Sequence, residues 1–246
     1  MELIFAMLPT LRRRWLRISL GGFLLVTILA ALALVSTANS SRHIRAALDA
    51  IQRAGGSVVC TYQDRDGTLD ESATEPGWVL ALRRLGIDLP PTALFVHFSG
   101  KAPTDDVLRQ VAELKFVHTV LLFNAPLITD AGVAHLGELP RLKMLVVHRS
   151  SITGSCANSL ASAASLEAID FTGSKVTGVG LSALKRLSEL RVLRLADCPV
   201  SDEGTGEIAS ISQLTSLRIS GDQLTPAGLG ELARLTNVDH LQVLTA

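Results

Sequence analysis

Apolar positions in the second half of the chain recur with a single period. From Thr129, a Thr or Ser returns at Thr153, Thr177, Ser201 and Thr225, each 24 residues after the last, and one further copy opens at Thr104 with one extra residue before Thr129. The clearest unit, residues 177–200, places Leu184, Leu187, Leu190, Leu193, Leu195 and Val200 at offsets that the next copy fills with Ile208, Ile211, Leu214, Leu217, Ile219 and Leu224. The copy from Thr153 supplies Leu160, Ala163, Leu166, Ile169, Phe171 and Val176, and the copy from Thr129 supplies Leu136, Leu139, Leu142, Leu145, Val147 and Ile152. The last gives Leu232, Leu235, Val238, Leu241 and Val243. The first pair in each set is spaced three apart, as on one helix face, and the strand pair is spaced two apart. Each unit therefore predicts helix, turn, strand, loop. A unit this short cannot bury its own apolar face, so the copies must stack. Gly132, Gly180, Gly204 and Gly228 recur at the fourth position, where a tight turn into the helix is expected, and Cys156 replaces glycine in one copy. Thr129-Asp130 and Ser201-Asp202 offer acceptors for free helix N–H groups.

A second pattern lies near the N-terminus. Residues 18–35, ISLGGFLLVTILAALALV, carry no charge. As a helix this run is ~27 Å long, close to the ~30 Å hydrocarbon core of a bilayer. Arg12, Arg13, Arg14 and Arg17 precede it, Trp15 sits where an interfacial aromatic belongs, and a polar exit with Ser36, Thr37, Asn39, Ser40 and Ser41 follows. The expectation is a signal-anchor helix over 18–38, with a basic cytoplasmic segment over 1–17 and everything after it across the membrane. Cleavage near Ala38, releasing a secreted protein, is the alternative, although secretory apolar regions are usually shorter.

Residues 39–91 join anchor to repeats as a linker and an α/β cap. Ile44, Leu48 and Ile51 share one helical face ending at Gly55-Gly56. Ser57 to Tyr62 reads as strand, Gln63 to Pro76 as loop, and Trp78 to Leu85 as helix. Ala93, Val96 and Phe98 take the strand offsets of an atypical first repeat, so the repeat region runs over 92–246. No matching cap follows Leu244, which predicts an open strand edge able to pair with another copy of the chain.

Composition narrows the function classes. Hydrophobic residues make up 48% of the 246 and aromatics only 4%, so the core is aliphatic. Formal charge is zero overall but divides into +3 over residues 1–41 and −3 beyond. That leaves no concentrated basic face for a nucleic-acid backbone. Cys60, Cys156 and Cys198 form neither a zinc spacing nor an even disulfide set.

The L-x-x-L-x-L run through Leu190, Leu193 and Leu195, continuing to Cys198 and Val200, resembles the leucine-rich-repeat signature. The T-D-x-G opening at Thr129 to Gly132 is similar to the helix-rich subclass of ribonuclease-inhibitor-like and cysteine-containing repeats. A basic head, one membrane helix and then repeats is similar to bacterial single-pass membrane-anchored leucine-rich-repeat proteins. The resemblance implies an α/β solenoid, with a curved parallel sheet inside and helices outside, and binding rather than enzymatic function. One position departs from the pattern: Cys198 is matched by Ser150, Ser174 and Asp222, not by the usual Asn or Cys, which implies a less regular loop ladder.

Residues between the buried strand positions face the concave side. They are Phe95 and His97; Thr119, Leu121 and Phe123; Met144, Val146 and His148; Asp170; Arg194; Arg218; His240 and Gln242. This stripe is apolar toward the N-terminal end and polar toward the other. Asp170, Arg194 and Arg218 follow one another at one offset on strands ~4.8 Å apart. Either Asp170 pairs with Arg194 on a solvated face, or the two arginines grip a carboxylate, sulfate or acidic side chain. His97 and His148 lack further converging ligands for a metal. Ser151, His148 and Asp170 lack the spacing of a nucleophile elbow. No phosphate-loop, dinucleotide, zincin or EF-hand motif is present, so no cofactor is expected. The expected role is a membrane-anchored scaffold binding a protein or peptide outside the cytoplasm. A self-associating structural envelope protein is the alternative.

Overall fold

The computed structural model describes residues 43–63, 69–70, 93–98 and 103–245. The expected membrane helix over 18–38 and the expected helix over 78–85 lie outside the described residues. Among the described residues, no helix is long and apolar enough to cross a membrane.

A helix over residues 43–53 (α1) leads into β1 (Gly56–Gln63) and a two-residue strand, β2 (Leu69–Asp70), which lies in a stretch expected to be loop. β3 (Ala93–Phe98) begins the repeats. There follow α2 (Asp105–Ala112), β4 (Val117–Leu122), α3 (Asp130–Leu136), β5 (Met144–Val147), α4 (Ala157–Leu160) and β6 (Ala168–Asp170). A 3-10 helix (Leu181–Arg186), β7 (Val192–Leu195), α5 (Asp202–Ala209), β8 (Ser216–Ser220), α6 (Pro226–Leu232) and β9 (His240–Leu244) complete the order.

The strands form one sheet in the order β2-β1-β3-β4-β5-β6-β7-β8-β9. From β3 to β9 every pairing is parallel, while β1 runs antiparallel to β3 with Val58 opposite Val96. The reversal suits the cap: α1 packs Ala47 and Ile51, both buried, onto the same core that the repeats use. Val120, Leu145, Ile169, Leu193 and Leu217 pair strand to strand in one row and are all 0% exposed. Each pairing repeats the last, so side-chain alternation keeps that row inside and the intervening residues outside. The extra residue of the first full copy falls between Leu122 and Ile128, in a loop whose Leu127 is exposed. At β9 the packing thins. Leu241 occupies the core row yet is 46% exposed, because no strand lies beyond β9 among the described residues to cover it.

Four copies begin their helix at the second position, as Asp105, Asp130, Asp202 and Pro226 show. Thr129, Ser201 and Thr225 cap their own helices through side-chain oxygens that accept from Ala131, Gly204 and Ala227 N–H. The aspartates do something the periodicity did not indicate: each bridges to the next copy. Asp105 accepts from Thr129 N–H (2.9 Å) and its hydroxyl (2.6 Å), and Asp202 holds Thr225 likewise. Asp130 accepts from Thr153 N–H and hydroxyl, Gly154 N–H and Cys156 N–H. This corrects the expected role of Gly132, Gly204 and Gly228, which lie inside helices, whereas Gly180 (φ +88°) does turn the chain into its 3-10 helix as expected. Gly132 and Gly228 sit inside their helices, where a Cβ would lie 2.1 Å from the carboxylate of Asp105 or Asp202. They are there to admit the previous repeat, not to turn the chain.

The copies opening Thr153-Gly154 and Thr177-Gly178 depart from the expected helix. Gly154 and Gly178 have φ +109° and +90°, outside the helical region, so the helix starts three residues later, at Ala157 and Leu181. What forms there is one turn of α-helix and a 3-10 helix. Glu207 of the following copy supplies the missing cap by accepting from Gly180 and Ser182 N–H. In the strand-to-loop turns, Ser150 and Ser174 share a 2.7 Å hydrogen bond and Cys198 Sγ donates to the Phe171 carbonyl, so a ladder persists with unusual residues.

Candidate concave recognition face

The parallel register arranges the exposed strand residues in rows. One row runs Phe95, Thr119, Met144, Ala168, Val192, Ser216, His240; the next runs His97, Leu121, Val146, Asp170, Arg194, Arg218, Gln242. A third row, just past the strand ends, begins with Phe123 and His148. Of the thirteen candidate residues, Thr119 contributes least surface at 8% exposed, whereas Phe123 and Met144 are each 42% exposed.

The structure joins two histidines that spacing had kept apart. His97 and His148 both meet Phe123 edge to face, with ring centroids at 5.6 and 5.2 Å. Such edge contacts stabilise by ~0.5–1.5 kcal/mol beyond area burial, so Phe123 is held in place while remaining open to solvent. The ladder continues to Asp170, whose Oδ1 lies 3.2 Å from His148 Nε2. The approach lacks hydrogen-bond alignment, and Nε2 is buried without a hydrogen-bond partner.

Asp170 lies between Thr172 and Arg194. Its Oδ1 already accepts from Thr172 N–H at 3.0 Å and the Thr172 hydroxyl at 2.6 Å. Only Oδ2 reaches Arg194, at 3.8 Å, a contact too long for a hydrogen bond. Asp170 is thus satisfied locally, and Arg194 is only loosely held. Arg218, paired in register with Arg194, is exposed and makes no ion pair or side-chain hydrogen bond among the described residues.

Beside the third row is an open depression of about 260 Å³ lined by Phe123, Asn124, His148, Arg149, Thr172, Gly173 and Asp197. Asn124, Arg149, Gly173 and Asp197 each follow a third-row residue and share a left-handed backbone, φ 51–72°. Arg149, Asn124 and Asp197 were not among the candidates. Their signal was available as a common offset one residue past the third concave position.

Ser151 donates its hydroxyl to the Pro126 carbonyl at 3.0 Å. Cys156 and Cys198 are free and buried. Burial pushes the Cys156 thiol far up, helped by the nearby Asp130 charge, and burial raises Cys198 to about 11. Both therefore remain protonated thiols at neutral pH.

No family model and no curated protein matches the chain. Among solved structures, it is similar to an internalin (inlF) from Listeria monocytogenes, at 21% identity over 63% of this chain and 43% of that one, with a TM-score of 0.50. The chain has the leucine-rich-repeat fold. A leucine-rich-repeat protein from Leptospira interrogans aligns more loosely, at 20% identity over 56% of this chain and 34% of that one, with a TM-score of 0.39. The repeat chain thus spans less than half the length of either structure. In leucine-rich-repeat terms, the face described above is the inner surface of the solenoid, and the Asp-bridged turns form its outer edge.

Proposed function

We propose that the chain is a membrane-tethered binding scaffold whose concave strand face takes a protein partner on the extracytoplasmic side. The observation that carries this reading is the concave face itself: Phe123 and Met144 project large apolar surface on the same face as a cation, Arg218, that has no ion-pair or side-chain hydrogen-bond partner among the described residues. Exposed apolar groups and underused charge on one face are features of recognition surfaces. The uncharged run over 18–35, behind four arginines, supports the tether and its orientation.

A photo-cross-linker placed at Met144 in membranes is expected to capture a discrete protein species that one at the outer, exposed Asn158 does not. Equal capture from both positions would remove the concave face from the reading. Protease added to intact spheroplasts is expected to degrade the repeats, and protection would reverse the orientation. Self-association along the exposed edge of β9 is the second reading, favoured by Leu241 at 46% exposure. A detergent-solubilised chain that sediments as a monomer at high concentration removes it.

A further inference from the structure

The concave rows separate into one satisfied anion and two underused cations. Asp170 spends Oδ1 on Thr172 and keeps only a 3.8 Å contact with Arg194. Arg194 and Arg218 lie side by side in register. The chain beyond residue 41 carries −3, yet this patch of its inner surface is positive, with two guanidinium groups against one carboxylate. At the other end of the stripe, Phe123 is held between two imidazole edges and is 42% exposed.

We propose that the occupant of this face is an extended acidic segment of a protein partner, lying across the strands. It seats an apolar or aromatic side chain against Phe123 and a carboxylate between Arg194 and Arg218. The proposal rests on the reading of the concave face as the binding surface and adds the chemistry and spacing of its ligand. Phe123 belongs to the repeat of β4, Arg194 to that of β7 and Arg218 to that of β8. The separation is three to four strand steps of ~4.8 Å, or ~14–19 Å. An extended chain advances ~3.3 Å per residue, so the apolar group and the carboxylate stand about four to six residues apart. Two adjacent guanidinium groups offer paired N–H donors to one carboxylate, a geometry that lysine does not reproduce. The clamped Phe123 ring loses little freedom on binding.

The test is selection of a displayed random dodecapeptide library on the full chain in detergent micelles, followed by fluorescence anisotropy with a synthetic representative. Enriched peptides are expected to carry Asp or Glu about four to six positions from a Phe, Trp, Leu or Met. Arg194→Ala and Arg218→Ala are each expected to weaken the representative about tenfold, the loss of one charge-assisted contact. Arg218→Lys recovers part of that loss, added salt weakens binding, and Phe123→Ala abolishes it. All four substitutions fall on exposed side chains, and circular dichroism checks that the sheet persists. Peptides that need Phe123 but carry no carboxylate, or bind Arg194→Ala and Arg218→Ala as tightly as the parent, overturn the acidic ligand while leaving the concave face as the binding surface. Peptides indifferent to Phe123→Ala and to both arginine changes overturn both readings. An empty selection against the folded chain overturns the acidic ligand.

Discussion

Two kinds of repeat share this solenoid. Those opening with Thr or Ser and then Asp start their helix at once and run it for seven or eight residues; those opening Thr-Gly start three residues late and manage a four-residue helix or a 3-10 turn. The strands do not register the difference. β6 and β7, which belong to the Thr-Gly copies, pair with their neighbours in the same register as the rest. The core rows hold the sheet together, while the outer edge is specified separately, by whether the second residue of each copy is a helix-starting aspartate or proline or a left-handed glycine. Adjacent copies are accordingly stitched by different means. Aspartates reach forward to join the copies opening at 104, 129 and 153 and those opening at 201 and 225, whereas at the seam between 177 and 201 Ser201 N–H donates to the Thr177 carbonyl and Glu207 reaches back to Gly180 and Ser182.

The sharpest way to break this comparison is at Gly204. A Cβ there would stand 2.0 Å from the Thr177 carbonyl oxygen and 2.7 Å from Gly178 Cα, both backbone atoms with no side chain to swing away. Gly204→Ala is expected to cost about 3 kcal/mol, as overpacking against rigid backbone does, read as a lowered urea midpoint. Gly132→Ala meets the Asp105 carboxylate instead, a side chain that can rotate at the expense of its bond to Thr129. The loss there should be smaller. Equal losses would mean that the two seams are not built differently.

Next comes the carboxylate seam itself. Asp130 serves four donors, three of them backbone N–H groups. Burial pulls its pKa up, but the hydrogen bonds from Thr153 and Cys156 outweigh that and hold it below its ordinary 3.8. A depressed pKa means that the unfolded chain takes up the proton first. The stabilisation is therefore complete above the unfolded pKa and is lost as pH falls through the folded one. Asp130→Ala is expected to cost about 2 kcal/mol at neutral pH, the range for leaving buried donors unpaired. The gap to the parent should narrow below about pH 4, followed by urea titration at several pH values. A gap that widens in acid would show that Asp130 acts through something other than its charge.

What the residues disclosed in advance follows the same division. The buried rows were legible because a solenoid repeats one packing problem, and Leu193 or Leu217 announces itself by spacing. The outer edge was not, because Asp130 does its work on Thr153, in the next copy, and nothing local marks a side chain that bridges repeats. The Thr-Gly copies looked like small variants, since a glycine's left-handed φ cannot be read from its letter alone. On the concave face, the offsets listed strand residues that the register sets in rows but missed their partners. Phe123 between His97 and His148, and Thr172 satisfying Asp170, depend on side-chain directions that periodicity does not contain. Arg149 and Asp197 were passed over because they lie beyond the strands, at an offset that seemed to belong to the loop.

The gentlest probe lies two residues from the harshest. Gly206 is in the same helix as Gly204, on the turn that faces away from the neighbouring repeat, and a Cβ there meets nothing within 4 Å. Its backbone is helical and not left-handed, so alanine fits the native conformation while restricting the unfolded chain. Gly206→Ala is therefore expected to raise stability by ~0.5–1 kcal/mol, read as a small increase in the urea midpoint with unchanged slope. The two substitutions are chemically identical and should have opposite signs. If Gly206→Ala also destabilises, α5 is not the straightforward helix that its Ser201-Asp202 opening specifies, and the distinction between the two kinds of repeat would have to rest on the turns alone. If the signs differ as expected, the close approach at Gly204 is a property of the seam with Thr177 and Gly178, and the helix itself tolerates a side chain wherever no neighbouring repeat intrudes.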